Sequence, residues 1–284
     1  MGLLQHIRAC NAFDRTRFLP LVHDGARIGL LRRDNAERLR RFDLFRVGDE
    51  AVTLVAGGGF EAVSEAVDAV VERLVGDGVL PRWRNEFFAV APRWGAPPHF
   101  RLDRGAVPFF GTHAYGVHLN GYRRDAGALS LWIGRRATNK QVAPGKLDNL
   151  VAGGISWEHG LYETLVKESE EEAGLPPDLV ARAVPVGAIS YRMETRHGVR
   201  NDVLFVYDLD VPSDFTPHNS DGELSGFSLM PAADAVARVR AGDDFKFNVN
   251  LVIVDFALRH GLVAPDEPDY LDLVVGLRRP LDPD

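Results

Sequence analysis

The stretch that decides the fold of this 284-residue chain is GGISWEHGLYETLVKESEEEAGL, which runs from Gly153 to Leu175. Two glycines open it as a loop, and a helical pattern extends from about Gly160 to Ala173. Gly174 is placed to end that helix, and Pro176-Pro177 just beyond it cannot continue one. The stretch therefore predicts a loop, a helix and a second loop.

Three glutamates near the end of this predicted helix stand out. Glu168, Glu171 and Glu172 occupy positions i, i+3 and i+4, so their carboxylates lie on one helix face. The end of a helix favours cations, and like charges there cost roughly a few tenths of a kcal/mol per unfavourable pair. An isolated run of this kind is usually a solvated acidic face, so the residues around it must decide its meaning.

Those residues follow a long, position-specific pattern. Five residues separate Gly153 from position 159, and seven more precede KESEEEAGL, which runs from Lys167 to Leu175. The spacing matches G-x5-E-x7-R-E-U-x-E-E-x-G-U, where U is apolar, and at this point the chain resembles the Nudix hydrolases. The resemblance implies an α+β Nudix fold, with a mixed sheet between helices, and an enzyme that cleaves a diphosphate bond.

The resemblance also implies a metal site. Glu168, Glu171 and Glu172 would hold one or more Mg²⁺ ions, joined by a backbone carbonyl near Ala152 or Gly153. Hard oxygen ligands suit Mg²⁺, and Mn²⁺ should substitute for it. The ion would bridge the diphosphate oxygens and lower the pKa of the attacking water.

Three positions depart from the family pattern. His159 replaces the first glutamate, although Glu158 is adjacent, and Lys167 replaces the arginine without its bidentate fork. Ser169 stands at an apolar position. The first two changes affect the pair that usually holds loop and helix together, and Lys167 is expected to pair with Glu163 at i−4 instead.

Four cations precede the motif within twelve residues: Arg135, Arg136, Lys140 and Lys146. In a chain of formal net charge −7, this cluster predicts a clamp for a diphosphate, with scattered surface charges as the alternative.

Other candidate site residues lie on both sides of the motif. Glu223, in an acidic loop, is a candidate for a further metal ligand or general base, with a simple turn residue as the alternative. His118, Asn120 and Tyr122 share one face of a predicted strand and could line a pocket for a heterocycle, or pack within the sheet.

The similarity extends over most of the chain, in the form of one Nudix subfamily that is fused to thiamine pyrophosphokinase in fungi. It is carried by WRNEFFAV (83–90), GVHLNGY (116–122), LWIGRR (131–136), PGKLDN (144–149), DGEL (221–224) and FKFNVNLVIVDFALRHG (245–261). It implies a substrate such as thiamine diphosphate or an oxidised analogue of it.

The domain organisation follows from changes in pattern. A small α+β unit is predicted for residues 1–106, including a helix from about Phe60 to Val75 after the turn Gly57-Gly58-Gly59. Sequence rich in proline and glycine between residues 92 and 111 marks its end. The Nudix domain is predicted for residues 107–265, followed by a polar tail, residues 266–284.

Composition limits the partners. A net charge of −7 argues against a general nucleic-acid binder, and no apolar run is long enough for a membrane span. The single cysteine, Cys10, and the lack of a signal-peptide pattern favour the cytoplasm. His6, His23 and His197 show no partners at metal-ligand spacing and are interpreted as structural or surface residues. A homodimer is left open.

Two alternatives to a diphosphohydrolase remain. An enzyme like isopentenyl-diphosphate isomerase needs a cysteine in the catalytic core, whereas Cys10 lies in the predicted N-terminal domain. A non-catalytic Nudix module commonly loses carboxylates of the motif, and all three are present here. The alternative substrate class is a nucleoside diphosphate derivative.

Overall fold

In the computed structural model, which describes residues 2–281, a first hydrophobic core lies between a four-stranded sheet and a long helix. The sheet has the order β2-β1-β4-β3. The elements of this part are α1 (Leu3–Cys10), a 3-10 turn (Arg15–Arg17), β1 (Phe18–His23), β2 (Ala26–Arg32), α2 (Arg33–Leu39), β3 (Phe45–Val47), β4 (Val52–Leu54), α3 (Gly59–Gly76), β5 (Phe87–Val90), β6 (Phe100–Asp103) and α4 (Val107–Phe110).

Helix α3 confirms the helix expected there. Its apolar residues recur at helical spacing, and Val63, Val67, Val70, Val71 and Leu74 are buried in the first core. The preceding glycines supply backbone that other residues rarely adopt, because Gly58 and Gly59 both have positive φ angles.

The second part is built on a larger mixed sheet. Its order is β11-β12-β7-β8-β13, with β10 paired to β7 and β9 to β8, and β12 runs parallel to β7. The elements are β7 (His113–Asp125), β8 (Ala128–Arg136), β9 (Leu147–Asp148), β10 (Val151–Gly154), α5 (Leu161–Ala173), α6 (Pro177–Val180), β11 (Val184–Thr195), β12 (Gly198–Asp210), β13 (Leu224–Pro231), α7 (Ala232–Ala241), α8 (Val249–Arg259) and α9 (Tyr270–Gly276).

Helices cover both faces of this sheet. Leu165 and Ala173 of α5 pack with Val117 and Leu119 of β7 on one face. The other face packs on α7 and on α8, whose residues from Val249 to Ala257 are all buried. The predicted mixed sheet between helices is confirmed.

Both ends of the chain differ from the expected domain organisation. Residues 1–106 are predicted as one unit, but Leu3, Leu4 and Ile7 of α1 are buried in the core beside α8. The expected C-terminal tail includes α9, and Leu273 of that helix is buried in the same core. The physical reason is that two short amphipathic helices cover apolar surface that α8 leaves open.

A small third cluster joins the two parts. Phe18 and Leu30 of the first sheet pack against Val199 of β12. Close by, the Leu30 N–H donates to the carbonyl of Gly111 at 3.2 Å. A Cβ on Gly111, whose φ is +61°, would lie 2.1 Å from the Leu30 carbonyl oxygen. Only glycine fits this crossing.

In the part of the chain that the structure describes, no helix is long and apolar enough to cross a bilayer.

The position of α1 leads to a stability prediction. Ile7 is fully buried, and a Cβ on Gly276 of α9 would lie only 2.6 Å from its Cγ2 atom. We expect Ile7→Ala to lower the free energy of unfolding by about 2–5 kcal/mol, because it leaves a cavity between α1 and α9. Urea unfolding followed by circular dichroism measures this change.

The matched control is Arg8→Ala on the exposed side of the same helix, with an expected change within about 0.5 kcal/mol. Equal effects of the two substitutions would show that α1 does not pack against α8 and α9.

Candidate active site

Helix α5 positions the three glutamates, and its own side chains fix where it starts. The Gly160 N–H donates to Oε2 of Glu163 at 2.8 Å, and the Thr164 N–H donates to the Gly160 carbonyl at 3.0 Å. This capping satisfies donors that the first turn would leave without partners. The helix therefore begins at Leu161, after a sharp turn from the preceding loop.

The end of α5 is closed by a later loop. Gly174 adopts a left-handed conformation (φ +63°), and a Cβ there would strike the ring of His218. The Ser220 N–H and hydroxyl donate to the Glu171 carbonyl at 3.1 and 2.8 Å, and Asn219 Nδ2 donates to the Glu172 carbonyl at 3.2 Å. Neutral donors thus replace the cations that usually stand at a helix end.

Glu172 is the most constrained of the three carboxylates. It is 4% exposed, and its Oε2 accepts a hydrogen bond from the Ala152 N–H at 2.8 Å. Burial raises the pKa of Glu172 well above its usual range, and the charges of Asp148, Glu168 and Glu223 raise it further. The charged form of Glu172 is therefore unfavourable unless a positive charge is supplied.

Strand β10 supplies the backbone group expected in the metal site. The N–H and C=O of one strand residue point to the same side of the strand. Because the Ala152 N–H points to Glu172, the Ala152 carbonyl also lies on that side. This placement agrees with the predicted role of Ala152.

Glu168 passes directly over Gly153. A Cβ at Gly153 would lie 2.3 Å from Cγ and 2.6 Å from Oε2 of Glu168. The carboxylate can reach β10 only because residue 153 has no side chain. Burial raises the pKa of Glu168, and the ammonium of Lys167 opposes this shift.

Lys167 does not make the pair expected from the sequence. Its Nζ lies 2.7 Å from Oε2 of Glu171 and 3.3 Å from Oε1 of Glu168. The expected partner, Glu163, is occupied by the Gly160 N–H. The ammonium therefore lies between two of the glutamates.

The substituted motif position, His159, makes a local contact instead of a bond to Lys167. Its Nδ1 lies 2.7 Å from the hydroxyl of Ser156. The turn before α5 is therefore held by this side-chain contact and by the cap at Glu163.

Glu223 reaches the site from the loop before β13. Its Oε1 lies 2.5 Å from Nζ of Lys140, and its carbonyl accepts the Ala137 N–H at 2.9 Å. The charge of Glu223 contributes to the raised pKa of Glu172, so the two carboxylates are near each other. A carboxylate from a later loop thus lies where the sequence predicted one.

These donors fit a hard divalent cation. Four carboxylates and the Ala152 carbonyl are all oxygen ligands of the kind that Mg²⁺ and Mn²⁺ prefer. Within residues 2–281, the glutamates do not bring three ligand atoms within 4.8 Å of one another, and the ammonium of Lys167 lies between Glu168 and Glu171. The burial of Glu172 beside other carboxylates is the observation that favours a cation here.

The four predicted clamp cations have different roles. Arg136 is buried, with Nη1 2.6 Å from Oδ2 of Asp148 and its other nitrogens donating to the Val142 carbonyl. Arg135 donates to the Gly145 carbonyl at 2.9 Å, and Lys146 pairs with Asp243 at 2.7 Å. Arg136 thus shapes the loop between residues 137 and 147. Lys140, paired with Glu223, is the cation that reaches the carboxylates.

Sequence reasoning missed Lys246 as a site residue. Its Nζ lies 3.6 Å from Oδ2 of Asp148, and burial lowers its pKa, against the opposing charges of Asp148 and Glu172. Burial alone would raise the pKa of Asp148, but Lys246 and Arg136 together hold it below its usual value. The signal was available: Lys246 is one of only four lysines and lies in a segment that resembles the subfamily.

The three strand residues predicted to line a pocket face the interior instead. His118 Nδ1 lies 2.8 Å from Oδ1 of Asn149, and Asn120 bonds both Asn149 and Asp208 at 2.9 Å. Burial and the charge of Lys246 lower the pKa of His118 to about 4. Tyr122 packs against Phe256 and His260. They share one face, and it is the face covered by α8, which agrees with the alternative that they pack within the sheet.

The first part of the chain also contributes to the site. The Trp157 N–H donates to the Phe87 carbonyl at 2.9 Å, and its ring lies 5.4 Å from that of Phe60 at the start of α3. Glu86, bonded to Arg104 at 2.6 Å, contributes to the raised pKa of Glu168. Periodicity could not reveal these residues, because only the packing of the two parts brings them to the motif.

Comparison with known protein families agrees with this arrangement. The domain of unknown function DUF4743 matches residues 2–114, and the NUDIX domain matches residues 115–249. Nudix hydrolase 24, chloroplastic, of Arabidopsis thaliana is 40% identical over 283 residues, which span 98% of this chain and 78% of that protein. The chain belongs to the Nudix hydrolase family, as its motif predicted.

Two further similarities were found. Nudix hydrolase 20, chloroplastic, also of Arabidopsis thaliana, is 39% identical over 292 residues, with the same two shares of 98% and 78%. The crystal structure of the NUDIX domain of Shewanella oneidensis NrtR, complexed with ADP ribose, is 15% identical and has a TM-score of 0.42. That similarity covers 57% of this chain and 94% of that chain.

The contact between Gly153 and Glu168 predicts a sensitive position. We expect Gly153→Ala to lower kcat at least about 100-fold, because the added Cβ displaces the carboxylate of Glu168 from β10. Gly226→Ala in strand β13, where a Cβ meets nothing within 4 Å, is the matched control and should keep full activity. Steady-state kinetics on any turned-over diphosphate measures both, and a fully active Gly153→Ala protein would contradict the assigned geometry.

The buried carboxylate of Glu172 predicts a pH-dependent effect in the protein without metal. Its pKa is raised in the folded chain, so the stability of the folded state falls as pH rises from the unfolded value of about 4.3 through the raised pKa. We expect Glu172→Gln to unfold at higher urea concentration than the wild type in EDTA at pH 7–8, although it is inactive.

The difference should shrink as the pH falls towards 4, because the wild-type carboxyl is then neutral in both states. Urea titrations of both proteins across this range provide the test. A constant difference at every pH would show that the charge of Glu172 is not its cause.

Proposed function

We propose that this protein is a Mg²⁺-dependent diphosphohydrolase, with Mn²⁺ able to substitute, that cleaves the diphosphate bond of a small organic diphosphate. The observation that carries the proposal is the buried carboxylate of Glu172, surrounded by Asp148, Glu168 and Glu223. Such a cluster is costly without a cation, and a sequence selected for stability alone would avoid it.

Each residue has a definite task in this reaction. Glu168, Glu171, Glu172 and the Ala152 carbonyl hold the cation, which would offset charge on the diphosphate and acidify the attacking water. The Ala152 N–H fixes the Glu172 carboxylate, and Gly153 leaves room for Glu168.

Glu223, in the loop before β13, and its partner Lys140 act on the attacking water and on the diphosphate. Glu223 takes the proton of the attacking water, since it approaches the cluster from a loop and is partly exposed. Lys140, its partner at 2.5 Å, is free to turn to a phosphate oxygen when substrate binds. Lys167, which lies between Glu168 and Glu171, would have to move for a cation to bind both carboxylates.

For the organic half we favour thiamine diphosphate or an oxidised analogue. The segments that resemble the thiamine-linked subfamily surround the site, from WRNEFFAV to the one containing Lys246. Exposed aromatic rings flank the loop before α5: Trp157 is in it, and Trp94 packs 4.7 Å from the ring of Tyr115, whose carbonyl accepts the Ile155 N–H. Such rings can stack on a heteroaromatic group. A nucleoside diphosphate derivative is the alternative.

The competing activities have less support. An isomerase-type mechanism needs a reactive thiol, but Cys10 is buried in the core beside α8, and burial together with Asp202 raises its pKa to about 12. The sequence argument against an isomerase was that Cys10 lies in the predicted N-terminal unit. The structure gives a different argument, which is that Cys10 is buried and its thiol is not reactive. A non-catalytic module does not need the buried charge of Glu172. A cytoplasmic location and a homodimer both stay predictions.

The test is phosphate release by the purified protein with Mg²⁺ or Mn²⁺. The panel contains thiamine diphosphate, its oxidised analogues, ADP-ribose and nucleoside diphosphates. We expect Glu171→Gln to lower kcat by about 10³-fold or more, because it removes a charged cation ligand. Glu170→Gln, on the exposed side of the same turn, is the matched control and should retain activity.

The outcomes separate mechanism from substrate. Turnover of a thiamine compound that is lost only in Glu171→Gln supports both. Turnover of a nucleotide alone keeps the mechanism and rejects the thiamine substrate. No turnover of any compound would contradict the proposal and favour the non-catalytic module.

A further inference from the structure

A second group of metal-binding side chains lies in the first part of the chain, away from α5. Among residues 2–281, His23, Asp24 and His99 form the one group of three or more His, Cys, Asp or Glu whose ligand atoms all lie within 4.8 Å of one another. His23 ends β1, Asp24 begins the turn to β2, and His99 directly precedes β6. The sequence interpretation of His23 as lacking a partner is therefore wrong, since the fold brings His99 to it across 76 residues.

The hydrogen bonds of His23 prepare one of its nitrogens as a ligand. Its Nε2 lies 3.1 Å from the Ala56 carbonyl, which can only accept, so Nε2 carries the proton. Nδ1 of His23 is then the acceptor in the hydrogen bond from Nδ1 of His99, which lies 2.8 Å away, and a metal ion would take the place of the shared proton. A backbone carbonyl that fixes the tautomer of a histidine is the usual outer support of a metal ligand.

The surroundings give the group access to solvent. His23 is buried, whereas the Asp24 side chain is 78% exposed, with Oδ1 3.9 Å from Nε2 of His23. The three side chains border a cavity of about 360 Å³ that opens to solvent and is also lined by Gly57, Gly58 and Gly59.

We propose that His23, Asp24 and His99 form a binding site for a late first-row transition ion, Zn²⁺ above all. Two imidazoles and one carboxylate, with a fourth position open to the cavity, are a ligand set that Zn²⁺ accepts and that Mg²⁺ does not select. The site is distinct in chemistry from the oxygen-only cluster on α5.

Only a small adjustment is needed for binding. Two nitrogens bound to one tetrahedral Zn²⁺ at about 2.0–2.1 Å lie roughly 3.3 Å apart, so the rings must separate by about 0.5 Å. The Asp24 carboxylate is exposed and can rotate to the ion. Asp24 has a φ of +50°, a conformation that Asp and Asn tolerate better than most residues.

The site would fix two loops next to the start of α3. It joins the β1–β2 turn to the segment before β6, and the cavity extends to Phe60, whose ring packs on Trp157 in the loop before α5. A bound ion would therefore stiffen the part of the first domain that contacts the Nudix motif.

The test uses the full-length protein carrying Glu171→Gln, so that the α5 cluster competes less for the ion. After removal of metals with EDTA, Zn²⁺ is titrated by calorimetry, and Co²⁺ is added separately to record visible d–d absorption. We expect one Zn²⁺ per chain at this site and a Co²⁺ spectrum with imidazole ligands. Zn²⁺ affinity should fall at least tenfold in His99→Ala and in Asp24→Asn.

Asp24→Asn guards against a folding artefact, because its side chain is exposed and Asn tolerates the same backbone. His197→Ala, a partly buried histidine hydrogen-bonded to Arg196, is the control and should bind Zn²⁺ normally. Equal Zn²⁺ affinity in all four proteins would overturn the proposal and leave a simple hydrogen bond between two histidines. This outcome is independent of whether the enzyme hydrolyses any diphosphate.

Discussion

The burial of one carboxylate, Glu172, is the constraint on which the rest of the site depends. Its hydrogen bond with the Ala152 N–H places it between α5 and β10. Both elements have features that make this contact possible. Gly153 has no side chain, so that Glu168 can pass beside it. The loop with Ser220 caps the helix end with neutral donors, which leaves the negative charge of the cluster for a cation.

Charged residues inside the sheet offset part of the negative charge of this cluster. Asp148 is compensated by Arg136 and by the buried ammonium of Lys246, and the charge of Lys246 acts on Glu172 as well. Next to them, Asn149 connects His118 to Asn120. Buried polar groups need partners on every side, so this network holds the short segment between β9 and β10 in one position. The position of the Ala152 backbone therefore depends on this network.

The two sequence families matched by this chain are not independent units in space. Helix α1 packs beside α8, and Val199 of β12 completes a cluster with Phe18 and Leu30. Because Trp157 is bonded to the Phe87 carbonyl, the motif loop is held by the first part of the chain as much as by its own domain. The first part thus forms one wall of the site, and its proposed metal site lies behind that wall.

The sequence by itself determined the fold class, the position of α5 and the three glutamates, because helical spacing and a motif of fixed length are local properties. The sequence could not decide the partner of Lys167, or choose between a pocket and packing within the sheet for His118, because both depend on which groups pack there. Only the tertiary structure decided that Lys246 faces Asp148, that Glu86 approaches Glu168, and that His99 meets His23. These pairs are distant along the chain. They meet because the burial of apolar surface, which does not depend on sequence separation, brings their strands and loops together.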